Sequence, residues 1–450
     1  MNNNRLLRYS IVAALAGFIF GFDTVVISGA NLPIKELWHT SPFFHGTFIM
    51  SMALWGTVLG AIFCGPPTEK YGRKKVLLWI GILFTVSALG TAVAPNPYIF
   101  SALRFVGGLG IGVSSVVAPT YISEISTAKT RGRLVGMYQF NIVFGILVAF
   151  VSNYLLQGVG GVNDWRYMLG IMAIPAIIYT IMVPGLPESP RWLITKKNDL
   201  TAAKETLQQI GADKPEEEIK NIIAANESIH AGSAKESIFK PKFRKVVWLA
   251  FLIAFFNQLS GINFILYYAP EILERAGIGT TDSLLNAISI GGINLLFTFI
   301  GLYLIDRIGR KKLMIVGSLG YIISLSAVAY CFAFNGGNAL LMSSLLLFIA
   351  AHAIGQGAVI WVYISEVFPN NVRAQGQSFG SGTHWVFAAI ITQITPLFLD
   401  KDSGVFGKDP WPIFGFFAFM MVLQLVWVLT KMMETKGVSL EELEKKLIQE

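Results

Sequence analysis

Long apolar runs separated by short polar stretches dominate this chain. Ile11–Ile27, Val76–Ala94 and Ile413–Leu429 are typical, and each is long enough to cross a bilayer. About twelve such runs follow one another, with approximate limits 9–31, 43–65, 76–94, 98–121, 133–156, 166–187, 245–272, 283–305, 313–334, 339–364, 376–399 and 410–432. They lack the alternating polarity of barrel strands, so each predicts a spanning helix. The expected fold is an all-α membrane protein with twelve transmembrane helices. One long polar stretch, about Thr195 to Lys245, interrupts the pattern after the sixth run. Within it Asp199 is placed to N-cap a helix whose apolar side is Ala203, Leu207 and Ile210, ending before Gly211. Pro215 can open a second helix with Ile219, Ile222 and Ile223 on one side. Near the C-terminus Ser439-Leu-Glu-Glu442 reads as a capping box ahead of Leu443 and Leu447. These short amphipathic helices are expected against the cytoplasmic face, since a lipid-surface helix calls for more bulky apolar residues.

The pattern is duplicated. Tyr-Ile-Ser-Glu stands at 121–124 and again at 363–366, and each glutamate leads seven residues on to an arginine, Arg131 and Arg373. Gly65-Pro-Pro-Thr-Glu-Lys-Tyr-Gly-Arg-Lys-Lys75 follows the second run, and Gly301-Leu-Tyr-Leu-Ile-Asp-Arg-Ile-Gly-Arg-Lys-Lys312 follows the eighth. Pro187-Glu-Ser-Pro-Arg191 ends the sixth run and Met433-Glu-Thr-Lys-Gly437 the twelfth. Three marker pairs recurring in order imply two pseudo-symmetric six-helix bundles. The expected division is 1–192 and 245–433 for the halves, 193–244 for the linker and 434–450 for a cytoplasmic tail. Parallel repeats with a site between the halves near the midplane are the architecture of major-facilitator transporters.

Composition agrees with a lipid solvent: 54% of residues are hydrophobic, 14% are charged and the mean hydropathy is +0.58. A net charge of +8 could suggest nucleic acid, but its distribution excludes that partner. With the N-terminus inside, Lys35, Arg166, Arg275, Lys401 and Lys408 fall outside and Arg104 falls within a helix. The remaining 29 of the 35 basic residues lie inside. This asymmetry predicts a multi-pass protein of a bacterial-type cytoplasmic membrane with both termini in the cytoplasm. Cys64 and Cys331 lie in apolar runs, so neither a disulfide framework nor a metal site is implied. The segment MNNNRLLRYS feeds straight into the first run without a cleavage site and is expected to be retained as helix.

These markers, together with Asn257-Gln-Leu-Ser-Gly-Ile-Asn263, resemble the sugar porter family, which includes bacterial proton–xylose symporters and animal glucose facilitators. The resemblance runs from about Gly21 to Gly437 in one order. Several positions depart from the family pattern. Glu69 replaces the usual aspartate, which Asp306 keeps in the second half. Asn257 replaces a glutamine, Gln356 stands within a usual Gly-Pro-Gly, His384 replaces an amide before Trp385, and Met433 replaces a common proline.

Polar side chains in lipid-embedded helices need a reason. Gln139, Asn257, Gln258, Asn263 and Asn294 sit well inside their spans. They could hydrogen-bond between helices, or form a ring of donors and acceptors matching sugar hydroxyls. The resemblance implies sugar contact for Gln139, Gln258, Asn263 and Asn294. It also implies that Trp361 and Trp385, beside Gly-rich and irregular backbone in the tenth and eleventh spans, offer an indole to the sugar's C–H face. Tyr267 is a candidate gate, and His384 could bond a hydroxyl, titrate or merely link helices. His352 has no counterpart in the family. Glu124, Arg131, Glu366, Arg373, Arg73 and Arg310 could simply flank helix ends. By the resemblance they form an intracellular salt-bridge network that breaks when the protein opens inward.

Asp23 lies mid-span in Gly21-Phe-Asp-Thr24, where proton-coupled sugar porters resemble this sequence and animal facilitators commonly carry an amide. The resemblance sets it opposite Arg104, either as a proton switch or as a static ion pair. The function so implied is proton-coupled uptake of a monosaccharide, hexose or pentose, by a monomeric carrier that needs no cofactor. The alternatives are a facilitated-diffusion uniporter and a sugar-sensing receptor, the latter disfavoured by the short tail after Gly437. An enzyme is not expected. Gly376-Gln-Ser-Phe-Gly380 matches a nucleophile elbow but opens a membrane span, and no third partner is evident. Gly107-Gly-Leu-Gly-Ile-Gly112 lacks the dinucleotide spacing, and Gly108 and Gly112 suit close helix packing instead.

Overall fold

The computed structural model describes residues 3–126, 130–212, 214–232, 237–369 and 372–438, together with 443 and 447. The described residues contain no strand. Eleven of the described helices are long and apolar enough to cross a membrane. A pair bent by 42°, Pro42–Met50 with Met52–Phe63, makes the twelfth span. Helix is the one element that satisfies its own backbone in lipid, so uninterrupted apolar runs leave no other choice.

The first span is Asn3–Trp38 and the bent pair is the second. Arg73–Val93, Pro97–Ile125 and Arg131–Leu156 are the third to fifth. The sixth joins Asp164–Gly170 to Ala173–Met182. After the linker, the seventh span is Arg244–Gln258 and Ile262–Arg275, and the eighth is Thr280–Ile308. Arg310–Phe334 is the ninth, and Asn338–Ile354 with Gln356–Val367 forms the tenth. Arg373–Leu399 and Trp411–Thr430 are the eleventh and twelfth. The face where the first span begins and the linker runs is called the near face below, and its opposite the far face.

Small residues let helices approach closely where lipid gives no hydrophobic push. A Cβ at Gly108 would lie 1.9 Å from Ala53 O, and one at Gly60 2.4 Å from Leu109 O, so the second and fourth spans pack backbone to backbone. The Gly107–Gly112 stretch is therefore a packing face. Gly21, two residues before Asp23, meets Ile142 O of the fifth span in the same way, at 1.9 Å.

Two expectations change, and a third takes a definite form. The first helix is longer than 9–31, because Lys35 near its far end finds an acidic partner in Asp400 and the helix continues past the apolar run. The tenth span, where irregular backbone is expected, breaks into two helices at Gly355 (φ −84°, ψ −100°). The eleventh is an unbroken helix despite its glycines. Gly376 and Gly380 there make room for Phe368 and Ile364 and leave the backbone regular, so only the tenth span puts a backbone irregularity near an indole.

In the linker, Asp199 accepts the Ala202 N–H (2.9 Å) at the start of Leu200–Gln209. Ala203, Leu207 and Ile210 are buried, and Gly211 leaves the helix at φ +80°. Pro215 opens Pro215–Gly232, whose Ile222 lines a small cleft with Leu207, Glu124, Arg131 and Pro190. The linker thus lies on the near end of the first half. The capping box Ser439–Glu442 lies outside the described residues; Leu443 and Leu447 are both buried.

Candidate functional site

Halfway through the fold, two helix breaks and one buried charge pair place polar groups where lipid-facing helices would carry none. The seventh span breaks at Leu259-Ser260-Gly261. Gly261 takes φ +84°, a left-handed conformation that costs glycine nothing, and Ser260 Oγ donates to Asn257 O (2.6 Å). The break sets Asn257 and Gln258 at the end of one helix and Asn263 at the start of the next. Gln258 is fully buried: its Nε2 donates to Asn257 Oδ1 (3.0 Å) and lies 3.2 Å from Nδ1 and 3.1 Å from Nε2 of His384. Its Oε1 is buried without a hydrogen-bond partner among the described residues. The His384 ring sits between two indoles, 4.9 Å from Trp361 and 4.8 Å from Trp385. Trp385 in turn touches Phe20 of the first span, at 5.6 Å, and so reaches the other half.

The structure therefore assembles Gln258, Asn257, His384, Trp361 and Trp385 into one cluster. Gln139, Asn263 and Asn294 stand on the fifth, seventh and eighth spans and make no hydrogen bond to a described residue. Their amides keep donor and acceptor capacity that no protein group uses. Trp361 is 37% exposed while Trp385 is buried, so one indole face stays open.

One turn from Phe20 lies Asp23. Arg104 Nη1 donates to Asp23 Oδ1 at 2.5 Å and Nη2 to Asp23 O at 3.4 Å, both side chains being buried. The pair is not saturated, since Asp23 Oδ2 and Arg104 Nε are buried without partners among the described residues. Tyr267, fully buried, stands beside Thr24 within reach of both charges.

The repeated charged motifs do meet, but with different partners from those their spacing suggests. Arg73 grips Glu124 with two hydrogen bonds, Nε–Oε2 at 2.9 Å and Nη2–Oε1 at 2.8 Å. Arg310 grips Glu366 in the same way, at 3.2 and 2.8 Å. Arg131 instead donates to Ser123 O and Arg373 to Phe368 O. A guanidinium fork matches a carboxylate through two bonds at once, which both arginines make from the first residue of a helix. Each fork is backed by a second acid: Glu188 accepts the N–H of Arg73 and Lys74, and Glu434 those of Arg310 and Lys311. The preceding glycines adopt matching left-handed conformations, φ +89° at Gly72 and +96° at Gly309, and a Cβ at either would strike the backing carboxylate. Burial pushes the Glu188 carboxyl above the usual carboxylate range, against the three backbone N–H groups and Arg73 that favour its charged form.

Contacts missed in the sequence close the far face. Asn31 Nδ2 donates to Glu271 Oε2 (2.7 Å) between the first and seventh spans, and Lys35 pairs with Asp400. Gln393 of the eleventh span accepts from Trp55 Nε1 (3.0 Å) and donates to Thr47 Oγ1 (3.2 Å). A Cβ at Gly46 would stand 2.0 Å from Gln393 O. A second missed network pins the tenth-span break: Gln356 donates to Gln424, which donates to Ser318 Oγ (2.7 Å). Tyr321 donates to Gln356 Oε1 (3.2 Å) and lies 2.6 Å from His352 Nδ1. Gln356 thus fills the place of a proline with a side chain that ties three spans together.

Residues 9–447 match the profile of the family described as "Sugar (and other) transporter". The chain belongs to this transporter family. The transporter is 35% identical over 446 residues to the arabinose-proton symporter of Bacillus subtilis, covering 98% of this chain and 94% of that one. To the D-xylose-proton symporter of Escherichia coli it is 31% identical over 471 residues, covering 98% of this chain and 96% of that one. Its fold superposes on the partially occluded inward-open form of the E. coli xylose transporter with a TM-score of 0.85. Identity there is 28%, over 97% of this chain and 100% of the other.

Proposed function

We propose that the transporter carries a monosaccharide, hexose or pentose, across the cytoplasmic membrane together with a proton, by alternating access. The observation that carries this reading is the Asp23–Arg104 pair. A purely structural ion pair in so dry a place would be expected to satisfy all its polar atoms, since uncompensated buried charge is costly. This one leaves a carboxylate oxygen without a partner among the described residues. The pair is assigned to the proton coupling, with Arg104 moving toward and away from Asp23 as the carrier cycles. Relatives bearing the names of sugar–proton symporters support both the cargo and the coupling ion.

The sugar site is assigned to Gln139, Asn257, Gln258, Asn263, Asn294 and His384 for the hydroxyls, and to Trp361 and Trp385 for the C–H face. Tyr267, between this cluster and Asp23, is the link through which occupancy and protonation influence each other. The near face is taken as cytoplasmic, because the described basic residues lie mostly on it. The halves, 1–192 and 245–433, then rock about the site while the linker 193–244 and the tail 434–450 stay inside, and the conformation described is closed to the exterior. Uptake of a panel of labelled sugars into proteoliposomes tests the reading. A pH gradient, acid outside, should drive one or more sugars above equilibrium. Equal final levels with and without the gradient would replace symport by facilitated diffusion.

A further inference from the structure

The far-face closure contains an acid that the coupling scheme above does not use. Glu271 is buried in the second half of the seventh span, with Asn31 of the first span and His45, at the start of the second, equally enclosed. The three form a line of hydrogen bonds with Thr40: Thr40 Oγ1 to His45 Nδ1 (2.8 Å), His45 Nε2 to Asn31 Oδ1 (2.7 Å), and Asn31 Nδ2 to Glu271 Oε2 (2.7 Å). In one arrangement the threonine hydroxyl donates to Nδ1, a neutral imidazole donates from Nε2 to the amide oxygen, and the amide donates to the carboxyl. Asn31 is the crossbar that joins the imidazole to the carboxyl.

Two cations, Arg275 and Lys35, stand close enough to Glu271 for their charge to reach it, but each makes its direct contacts elsewhere. Lys35, one turn beyond Asn31, pairs with Asp400 at the end of the eleventh span. Arg275, one turn beyond Glu271, donates to Gly407 O (2.9 Å) and to Leu399 O. Glu274 and Glu36 stand at the rim, Asp402 lies beyond Asp400, and the eighth span carries at this level only Asp282, exposed in its first turn. The hydroxyl of Tyr268 is bonded to Thr392 O (2.9 Å). Glu271 is thus a carboxyl buried between the halves without an ion-pair partner among the described residues.

We propose that Glu271, with Asn31 and His45, is a second proton-binding site, one that locks the exterior gate. A neutral carboxyl is far cheaper to bury than an ionised one. When the halves part on the far side, Glu271 leaves Asn31 and meets water, where ionisation costs little. Closure therefore takes up a proton from the exterior and opening returns it, so acid stabilises the closed gate. The proposal rests on the alternating-access reading but is independent of Asp23.

Spin labels at Leu37→Cys and Val405→Cys, exposed positions on opposite halves of the far rim, test it by double electron–electron resonance on the full chain in lipid nanodiscs. The background is Asp23→Asn, which removes the other carboxyl. The long-distance, open fraction should rise with pH, by up to about tenfold per pH unit for one proton. Adding Glu271→Gln should hold it at its low, acid value throughout. Loss of the pH response in Asp23→Asn alone would overturn the proposal while leaving the Asp23 reading intact, and so would a response that survives Glu271→Gln. Should Glu271→Gln not fold, Asn31→Leu serves instead. It should raise the acid-state open fraction to the alkaline level, and an unchanged acid value would overturn the proposal equally.

Discussion

On the near face Arg73 grips Glu124 and Arg310 grips Glu366, each inside one half. On the far face Asn31 reaches Glu271, Lys35 reaches Asp400 and Gln393 reaches Thr47 and Trp55, all from one half to the other. The near-face pairs brace the ends of single bundles; the far-face bonds hold two bundles shut. Duplication explains the first set. A brace inside a half is copied whole when the half is copied, so Gly72, Arg73, Glu124 and Glu188 recur as Gly309, Arg310, Glu366 and Glu434. A bond between halves joins unlike residues, and so leaves no repeat.

The comparison breaks most easily at Gly46. Gly46→Leu places side-chain atoms where Gln393 O now stands, so the far face cannot close. Sugar uptake should fall at least about tenfold, equivalent to about 1.4 kcal/mol, while sugar binding to the folded protein persists. Unimpaired uptake would show that this contact is not part of the closure.

Next in size are the amides between the two faces. Gln258→Ala or Asn263→Ala should weaken binding of the transported sugar about tenfold or more in calorimetry, because a lost partner leaves a buried hydroxyl unpaired. Binding that is unchanged in both variants would remove these residues from the site.

The braces come third. Glu124→Ala strands Arg73, which is largely enclosed, and should cost about 1–3 kcal/mol of stability, read as a lowered Tm. Glu366→Ala leaves Arg310 its exposed partner Asp306 and should cost less, and sugar affinity should hold in both. A shift in the inward–outward population without loss of stability would instead favour the latch role that the repeated motif suggests. Smallest is Glu69→Gln, which cuts an exposed pair with Lys196 and should change stability by less than about 0.5 kcal/mol.

How far the sequence could be read follows the same division. Spans, linker caps and the two-half plan were legible because lipid permits only long apolar helices and because the markers repeat. Asp23 and Arg104 stood out because charge within a span is rare. The partner of Glu124 was not legible: spacing pointed to Arg131, and only folding brings Arg73 back over the fourth span. Glu271 and His45 lay within apolar runs and met the same rule as Asp23, yet both sit near span ends, where a charge is ordinarily a flanking one. Gln356 was visible as a departure from the family pattern, but its bond to Gln424 lies across two spans that no local pattern connects.

The coupling claim itself turns on Asp23→Asn, measured in two assays on the same reconstituted protein. The account predicts that the variant exchanges sugar between preloaded vesicles and binds it normally, yet fails to accumulate sugar under a pH gradient. Accumulation against the sugar gradient by Asp23→Asn, driven by pH, would contradict it.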